Sequence, residues 1–160
     1  MIKKGLAPMI DKNTRILILG SLPSDESISK QQYYSNPGND FWKLINEVIG
    51  EDITTLDYEA KVKKLQEYKI GLWDVYLEGE RSGNKDSNII NGKMNDFSIL
   101  KKVTPNLHLV CFNGKEAGKF ENTFKKIKLE TRVLLSSSGA NRSYLDKRIV
   151  EWKSIADAIN

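Results

Sequence analysis

Four short apolar runs, each closed by a cluster of small and polar residues, constrain this chain more than any other feature. They lie at 15–19, 70–75, 107–112 and 131–135. A run of five or six residues with little polar alternation suits a strand covered on both faces, as in a central parallel sheet. Between the runs, apolar residues recur at helical spacing instead. Phe41, Trp42, Leu44, Ile45, Val48 and Ile49 form one such face, and Tyr58, Val62, Leu65 and Tyr68 another. A third helix runs through Phe120 and Phe124, and a last one carries Leu145, Ile149, Trp152, Ile155 and Ile159. Strands alternating with helices predict an α/β fold: a three-layer α/β/α sandwich with a central four-stranded parallel sheet. The 160 residues fit one domain, 1–160, large enough to bury a core without staples. There are no repeats, low-complexity segments or interdomain linkers.

In such a sheet the carboxyl ends of the strands form the binding edge. The unusual polar turns all fall there: 20–24, 73–75 with the loop after it, Asn113-Gly114, and 136–142. The first is a strand–glycine turn–helix unit, with Asp25 and Glu26 suited to a helix's first turn. It lacks the spacing of either glycine-rich phosphate fingerprint. Residues 78–95 are rich in Gly, Asn, Ser and charge and are expected as a long loop, the kind often tied to function or mobility. This convergence of turns points to a single site.

Within that edge, 31–42 reads Gln-Gln-Tyr-Tyr-Ser-Asn-Pro-Gly-Asn-Asp-Phe-Trp. Pro37 fixes its own φ and Gly38 tolerates positive φ, so a turn is expected before the helix. Asn39 or Asp40 can cap that helix. A scaffold needs the turn and the cap, but not two tyrosines and a pair of asparagines. Aromatic faces beside amide side chains are what a flat heterocycle would want. A capped turn with tyrosines packed as a core lid is the competing reading.

Composition narrows the classes. Hydrophobic residues are 39% and charged residues 29%, an ordinary globular balance. No apolar run approaches a spanning helix, and Met1-Ile2-Lys3-Lys4 leads into no signal-peptide core. A cytoplasmic protein with no membrane partner is expected, nucleoid-associated when on DNA. Cys111 is the only cysteine and His108 the only histidine, which excludes disulfides, a zinc site and a four-cysteine cluster by count. No metal is assigned. A net charge of +4 permits a polyanion partner without requiring one.

Taken in order, these segments resemble the uracil-DNA glycosylase superfamily. Leu-Gly-Ser-Leu-Pro at 19–23, Gln32-Tyr33-Tyr34, Pro37, and Asn39-Asp40-Phe41-Trp42-Lys43 match first. Gly-Leu-Trp-Asp-Val at 71–75, Asp86-Ser87, Phe-Asn-Gly-Lys at 112–115 and Ser-Gly-Ala-Asn at 138–141 follow. The set is most similar to the hypoxanthine-DNA glycosylase branch, with features of the mismatch-specific (thymine/uracil) branch. The resemblance implies hydrolysis of the N-glycosidic bond of a deaminated base, flipped out of DNA at a cost of about a few kcal/mol. It also implies a monofunctional enzyme with water as nucleophile and no cofactor. The expected partner is DNA containing a deaminated base, and the expected state a monomer.

Residue by residue, the family's first motif places Asp or Asn two positions after its glycine, where this chain has Leu22. The hypoxanthine branch lacks a polar group there too and relies on the asparagine before Phe-Trp. The resemblance therefore assigns Asn39 as the catalytic amide. It assigns substrate contact to Gly20, Ser21, Leu22, Pro23, Tyr34, Phe41 and Asn113, with Tyr34 stacking on the base and Asn113 reading its edge. Ser138, Gly139, Ala140, Asn141 and Arg142 match the loop pressed into the duplex; Ala140 is small for a wedge, and Arg142 suits a phosphate. Arg81 and Asp86-Ser87 fall on a far wall. Asn36 stands where relatives carry a histidine. Hypoxanthine leads as substrate, with uracil second. Leu22 and Asn36 keep open a lesion-binding protein that flips bases without cutting, and a small-molecule enzyme on the same frame is a third reading.

Overall fold

The computed structural model describes residues 1–83 and 85–159. The chain runs β1 (Ile2–Lys4), β2 (Ile16–Gly20), α1 (Asp25–Lys30), α2 (Phe41–Ile49), α3 (Tyr58–Glu67) and β3 (Ile70–Asp74). It continues through β4 (Tyr76–Glu80), β5 (Ile90–Met94), α4 (Leu100–Val103), β6 (Leu109–Asn113) and α5 (Lys115–Gly118). It ends with α6 (Glu121–Lys125), β7 (Glu130–Leu134) and α7 (Leu145–Lys153).

The four apolar runs become one parallel sheet in the order β3-β2-β6-β7. Every residue of β2, β3 and β6 is buried, because side chains alternate between two covered faces. Ile16, Ile18, Ile70, Leu72, Leu109 and Cys111 pack toward α2, α3 and α7. Leu17, Leu19, Trp73, Val110 and Phe112 pack toward the opposite layer, against Phe97, Leu100, Ala117 and Phe124. This is the α/β/α sandwich expected from the sequence. No helix among the described residues is long and apolar enough to cross a membrane.

α2 buries Phe41, Trp42, Leu44, Ile45, Val48 and Ile49, at about 1.5–3 kcal/mol for each large apolar side chain fully buried. Its start is capped by Asn39, whose Oδ1 accepts from the Phe41 N–H at 2.9 Å. Asp40 makes no side-chain capping bond. Gly50, at φ 72°, ends the helix in the left-handed region.

Two expectations are corrected. Residues 78–95 are not one long loop: β4 and β5 pair antiparallel, and β1 adds to β4 as a second, three-stranded sheet. All five residues of β5 are exposed and its register is irregular, so no burial pattern marks it in the sequence. The last helix ends at Lys153 and tightens into a 3₁₀ segment, Ser154–Ile159. Leu145 is exposed rather than core, while Arg148, Trp152 and Ile155 are fully buried.

Candidate active site

The carboxyl ends of the parallel strands surround a cavity of about 210 Å³. The loop after β2 supplies Gly20, Ser21, Leu22 and Pro23; the turn before α2 supplies Tyr34 and Asn39; β6 supplies Asn113; the loop after β7 supplies Ser138 and Gly139. All nine carry sequence expectations, and the fold brings them to one place. Phe41, Ala140, Asn141 and Arg142 do not line the cavity.

Phe41 lies one layer back. It is fully buried and stacks on Tyr34 with ring centroids 3.9 Å apart and planes 9° apart. Direct substrate contact, expected of Phe41 from the sequence, is thus replaced by support of the tyrosine. Tyr34 needs that support, because its φ of 54° is unusual for a residue with a bulky side chain. Trp42 Nε1 holds the Tyr34 carbonyl at 3.2 Å, and Asn113 Nδ2 donates to its hydroxyl at 3.2 Å. Burial pushes the Tyr34 phenol well above its ordinary range, and the charge of Asp74 adds to this, so the ring stays neutral.

Asn113, Ser137 and Asn39 form a one-way hydrogen-bond relay. Asn113 Oδ1 accepts from the Ser137 N–H at 2.8 Å, which orients the amide so that Nδ2 donates to Ser137 Oγ at 2.8 Å. Ser137 Oγ then donates to Asn39 Oδ1 at 2.7 Å. Because Oδ1 also accepts from Phe41, the Asn39 NH₂ is left without a hydrogen bond among the described residues. Asn39 thus caps the helix and also presents its amide at the cavity. Asn113 is not a helix cap; it makes no such bond to α5. Ser137 carried no sequence assignment, since one serine in a Ser-Ser-Ser run has no distinguishing mark.

The opposite wall is acidic. Asp74 ends β3 and is 4% exposed, and Asp86 lies beside it. Burial, reinforced by the charge of Asp86 and opposed by Arg81, pushes the Asp74 carboxyl up to about 7. Burial also raises Asp86, against the Ser21 hydroxyl bond and Arg81. Arg81 is the brace behind this wall. Its guanidinium donates to the Leu22 carbonyl at 2.9 Å, the Pro23 carbonyl at 2.5 Å and Asp86 Oδ1 at 3.3 Å. Gly20 is required between the walls: a Cβ there would lie 2.6 Å from Asp74 Oδ1 and 3.0 Å from the Tyr34 hydroxyl. Ser87 is exposed and off the cavity. Asp74 was missed in sequence, although its segment was placed at the binding edge; an acid at the last position of a buried strand was the available signal.

The loop 138–142 is fastened rather than free. A Cβ on Gly139 would meet the Gly38 carbonyl oxygen at 2.4 Å, so only glycine permits this approach. Arg142 donates from Nε to Asp40 Oδ2 at 3.0 Å and from Nη2 to Asp40 Oδ1 at 3.1 Å. Asp40 also accepts from the buried Arg148 at 2.7 Å. Arg148 holds the loop itself, donating to the carbonyls of Ser136 and Ser138 at 3.2 Å each. Ala140 is exposed at the tip, and Asn141 Nδ2 turns back to the Ser136 carbonyl at 3.3 Å. Asn36 folds over the Gly38 N–H at 2.8 Å, as a turn residue at the cavity rim.

Known proteins resemble this chain over nearly its whole length. The sequence model of the Uracil DNA glycosylase superfamily matches residues 7–157. A Methanosarcina acetivorans protein named hypoxanthine DNA glycosylase is 54% identical over 155 residues, covering 97% of this chain and 98% of its own length. A protein of the same name from Methanosarcina barkeri is 53% identical over 152 residues, covering 95% and 96%. The solution NMR structure of a Methanosarcina acetivorans protein, provisionally assigned as a uracil DNA glycosylase, matches with a TM-score of 0.91 at 52% identity over 99% of both chains. The chain belongs to the uracil DNA glycosylase superfamily, a family of hydrolases.

Proposed function

We propose that this protein removes a deaminated base from DNA, hypoxanthine in the leading reading and uracil in the alternative, hydrolysing the bond between base and deoxyribose. The base enters the cavity flipped from the stack, and water is the nucleophile. No lysine amine takes part, so the product is an intact abasic strand. The observation that carries this reading is the relay ending on Asn39. It leaves one fixed amide NH₂ at a cavity smaller than the roughly 300 Å³ lower end for drug-sized ligands, a scale suited to one base. The relatives named hypoxanthine DNA glycosylase support the choice of base.

In this scheme Tyr34 offers its face to the base and Asn113 holds the relay that aims Asn39. Leu22 leaves no polar side chain on its side, so positioning of the water or of the scissile nucleoside falls to Asn39. Gly20, Ser21 and Pro23 form the close wall that a purine needs. The loop 138–142 rests on the duplex, where Ala140 fills little of the vacated space. Arg142 Nη1, which has no hydrogen bond among the described residues, reaches a phosphate.

The test uses labelled duplexes carrying one hypoxanthine or one uracil, followed by alkali, with wild type and Asn39→Ala compared. Wild type should cut preferentially at hypoxanthine, and the variant should lose on the order of 100-fold or more, the scale for removing one preorganised donor. Unchanged cutting by the variant would return Asn39 to helix capping alone. Binding of both duplexes without base release would instead identify a lesion-binding protein.

A further inference from the structure

The relay leaves one group at the cavity without a task. Asp74 shares the sheet face of Ile70 and Leu72, is 4% exposed, and its Oδ2 is buried with no hydrogen bond among the described residues. Its backbone is pinned, since Asn95 Nδ2 donates to the Asp74 carbonyl at 2.8 Å and the next residue's N–H donates to the Gly20 carbonyl at 2.8 Å. Gly20, lacking a side chain, keeps the approach to Oδ1 open. Burying a polar oxygen without a partner costs free energy, and at a cavity wall, unlike in the core, such an atom can be completed by what enters the cavity.

We propose that Asp74 is a second catalytic residue, the acid that delivers its carboxyl proton to a ring nitrogen of the base as the glycosidic bond breaks. This assignment rests on the glycosylase reading above. The bond from the sugar carbon to the base nitrogen breaks, and its electron pair goes to the base. The Asp74 proton neutralises the charge that develops there. Water bonds through its oxygen to the sugar carbon and loses a proton, which returns through solvent to the carboxylate. Base, abasic sugar and enzyme then balance with one water consumed.

The surroundings suit an acid better than a carboxylate. Asp86 lines the same cavity, Tyr33 and Tyr34 lie beside Asp74 as neutral phenols, and among the described residues Arg81 is the cation that opposes them. Burial and Asp86 outweigh Arg81 and push the carboxyl up to about 7, so the proton is available well above the ordinary carboxylate range. An ionised Asp74 would repel the departing base, whereas a neutral one donates to it.

The experiment is single-turnover release of hypoxanthine by wild type and Asp74→Asn from about pH 5 to about pH 9, spanning the range in which a poised acid titrates. Asparagine keeps the size and a donor but has no proton to transfer. Wild-type release should fall as pH rises through about 7. The variant should be slower by about 100-fold or more on the acid side and should lose that fall. A variant within about threefold of wild type, or one that is slow but keeps the fall, overturns the assignment, because proton transfer commonly contributes at least about 100-fold. Should the variant not fold, carbon NMR titration of the wild-type Asp74 carboxyl decides: a midpoint near 7 is expected, and a carboxylate ionised throughout overturns it. An active wild type with a flat profile sinks Asp74 alone. A wild type that releases neither base at any pH sinks the glycosylase reading and Asp74 with it.

Discussion

Replacing Asp40 by alanine should destabilise the fold more than any exposed charge change, and the structure sets the scale. The Asp40 side chain is 3% exposed and the Arg148 side chain 0%, and they meet at 2.7 Å. Alanine leaves the guanidinium buried without its counter-charge, a loss of about 3–5 kcal/mol. For a chain of this size each kcal/mol lowers Tm by about 2–4 °C, so the fall should be about 6–20 °C. Urea and thermal unfolding of wild type, Asp40→Ala, Arg148→Met and the double variant measure it as a cycle. The double variant should recover much of the loss, because an apolar replacement of a whole buried pair is often neutral. Burial raises the Asp40 carboxyl, but the bonds and charges of Arg142 and Arg148 together hold it below the ordinary carboxylate range. A depressed folded value stabilises above the unfolded value of about 3.9 and is lost as pH falls through the folded one, so the gap between wild type and Asp40→Ala should close in acid. A loss under about 1 kcal/mol, or a double variant as unstable as the two singles summed, would refute the reasoning.

Three further outcomes follow from the same geometry. Gly139→Ala drives a Cβ to 2.4 Å from a backbone oxygen, so the loop must leave the Gly38 turn; base release should drop by about 10- to 100-fold with Tm little changed, and equal activity would refute the close approach. Ser137→Ala leaves one N–H of the Asn113 amide unpaired, the other still meeting the Tyr34 hydroxyl, and unties Asn39, costing about 1–3 kcal/mol in urea unfolding and slowing release beyond that seen for a distant surface serine. Arg142→Ala, tested in duplex binding against salt concentration, should reduce the slope by about 1 if the guanidinium meets a phosphate; an unchanged slope would leave it solely as the Asp40 clamp.

What could be read from the sequence follows the range over which each signal acts. The strands at Ile16–Gly20, Ile70–Asp74 and Leu109–Asn113 announce themselves because burial on both faces removes polar residues from one short segment. Tyr34, Asn39 and Gly20 stand out because turn chemistry and helix capping are local. β5 stays hidden: all its side chains face solvent, and its partners lie at Tyr76–Glu80, joined in turn to Ile2–Lys4. The site divides in the same way. Asp74 looks like one polar residue at a strand end until the fold buries it and brings Asp86, from a segment twelve residues on, to the same cavity.

Arg148 makes the same point more sharply. Helical periodicity places Leu145 in the core and gives no sign of Arg148, an arginine between Lys147 and Ile149. The fold buries Arg148 instead, because Asp40 sits 108 residues earlier at the mouth of α2 and draws it inward. That choice rotates the buried stripe of α7 onto Arg148 and Trp152, continued by Ile155 in the 3₁₀ segment, and carries Leu145 outward. The same guanidinium then holds the carbonyls of Ser136 and Ser138, on either side of the serine that orients Asn39. A long-range ion pair therefore fixes a helix's rotation and, through one loop, the direction of an amide at the cavity. Periodicity cannot see it, since the pair's two halves are each unremarkable where they stand.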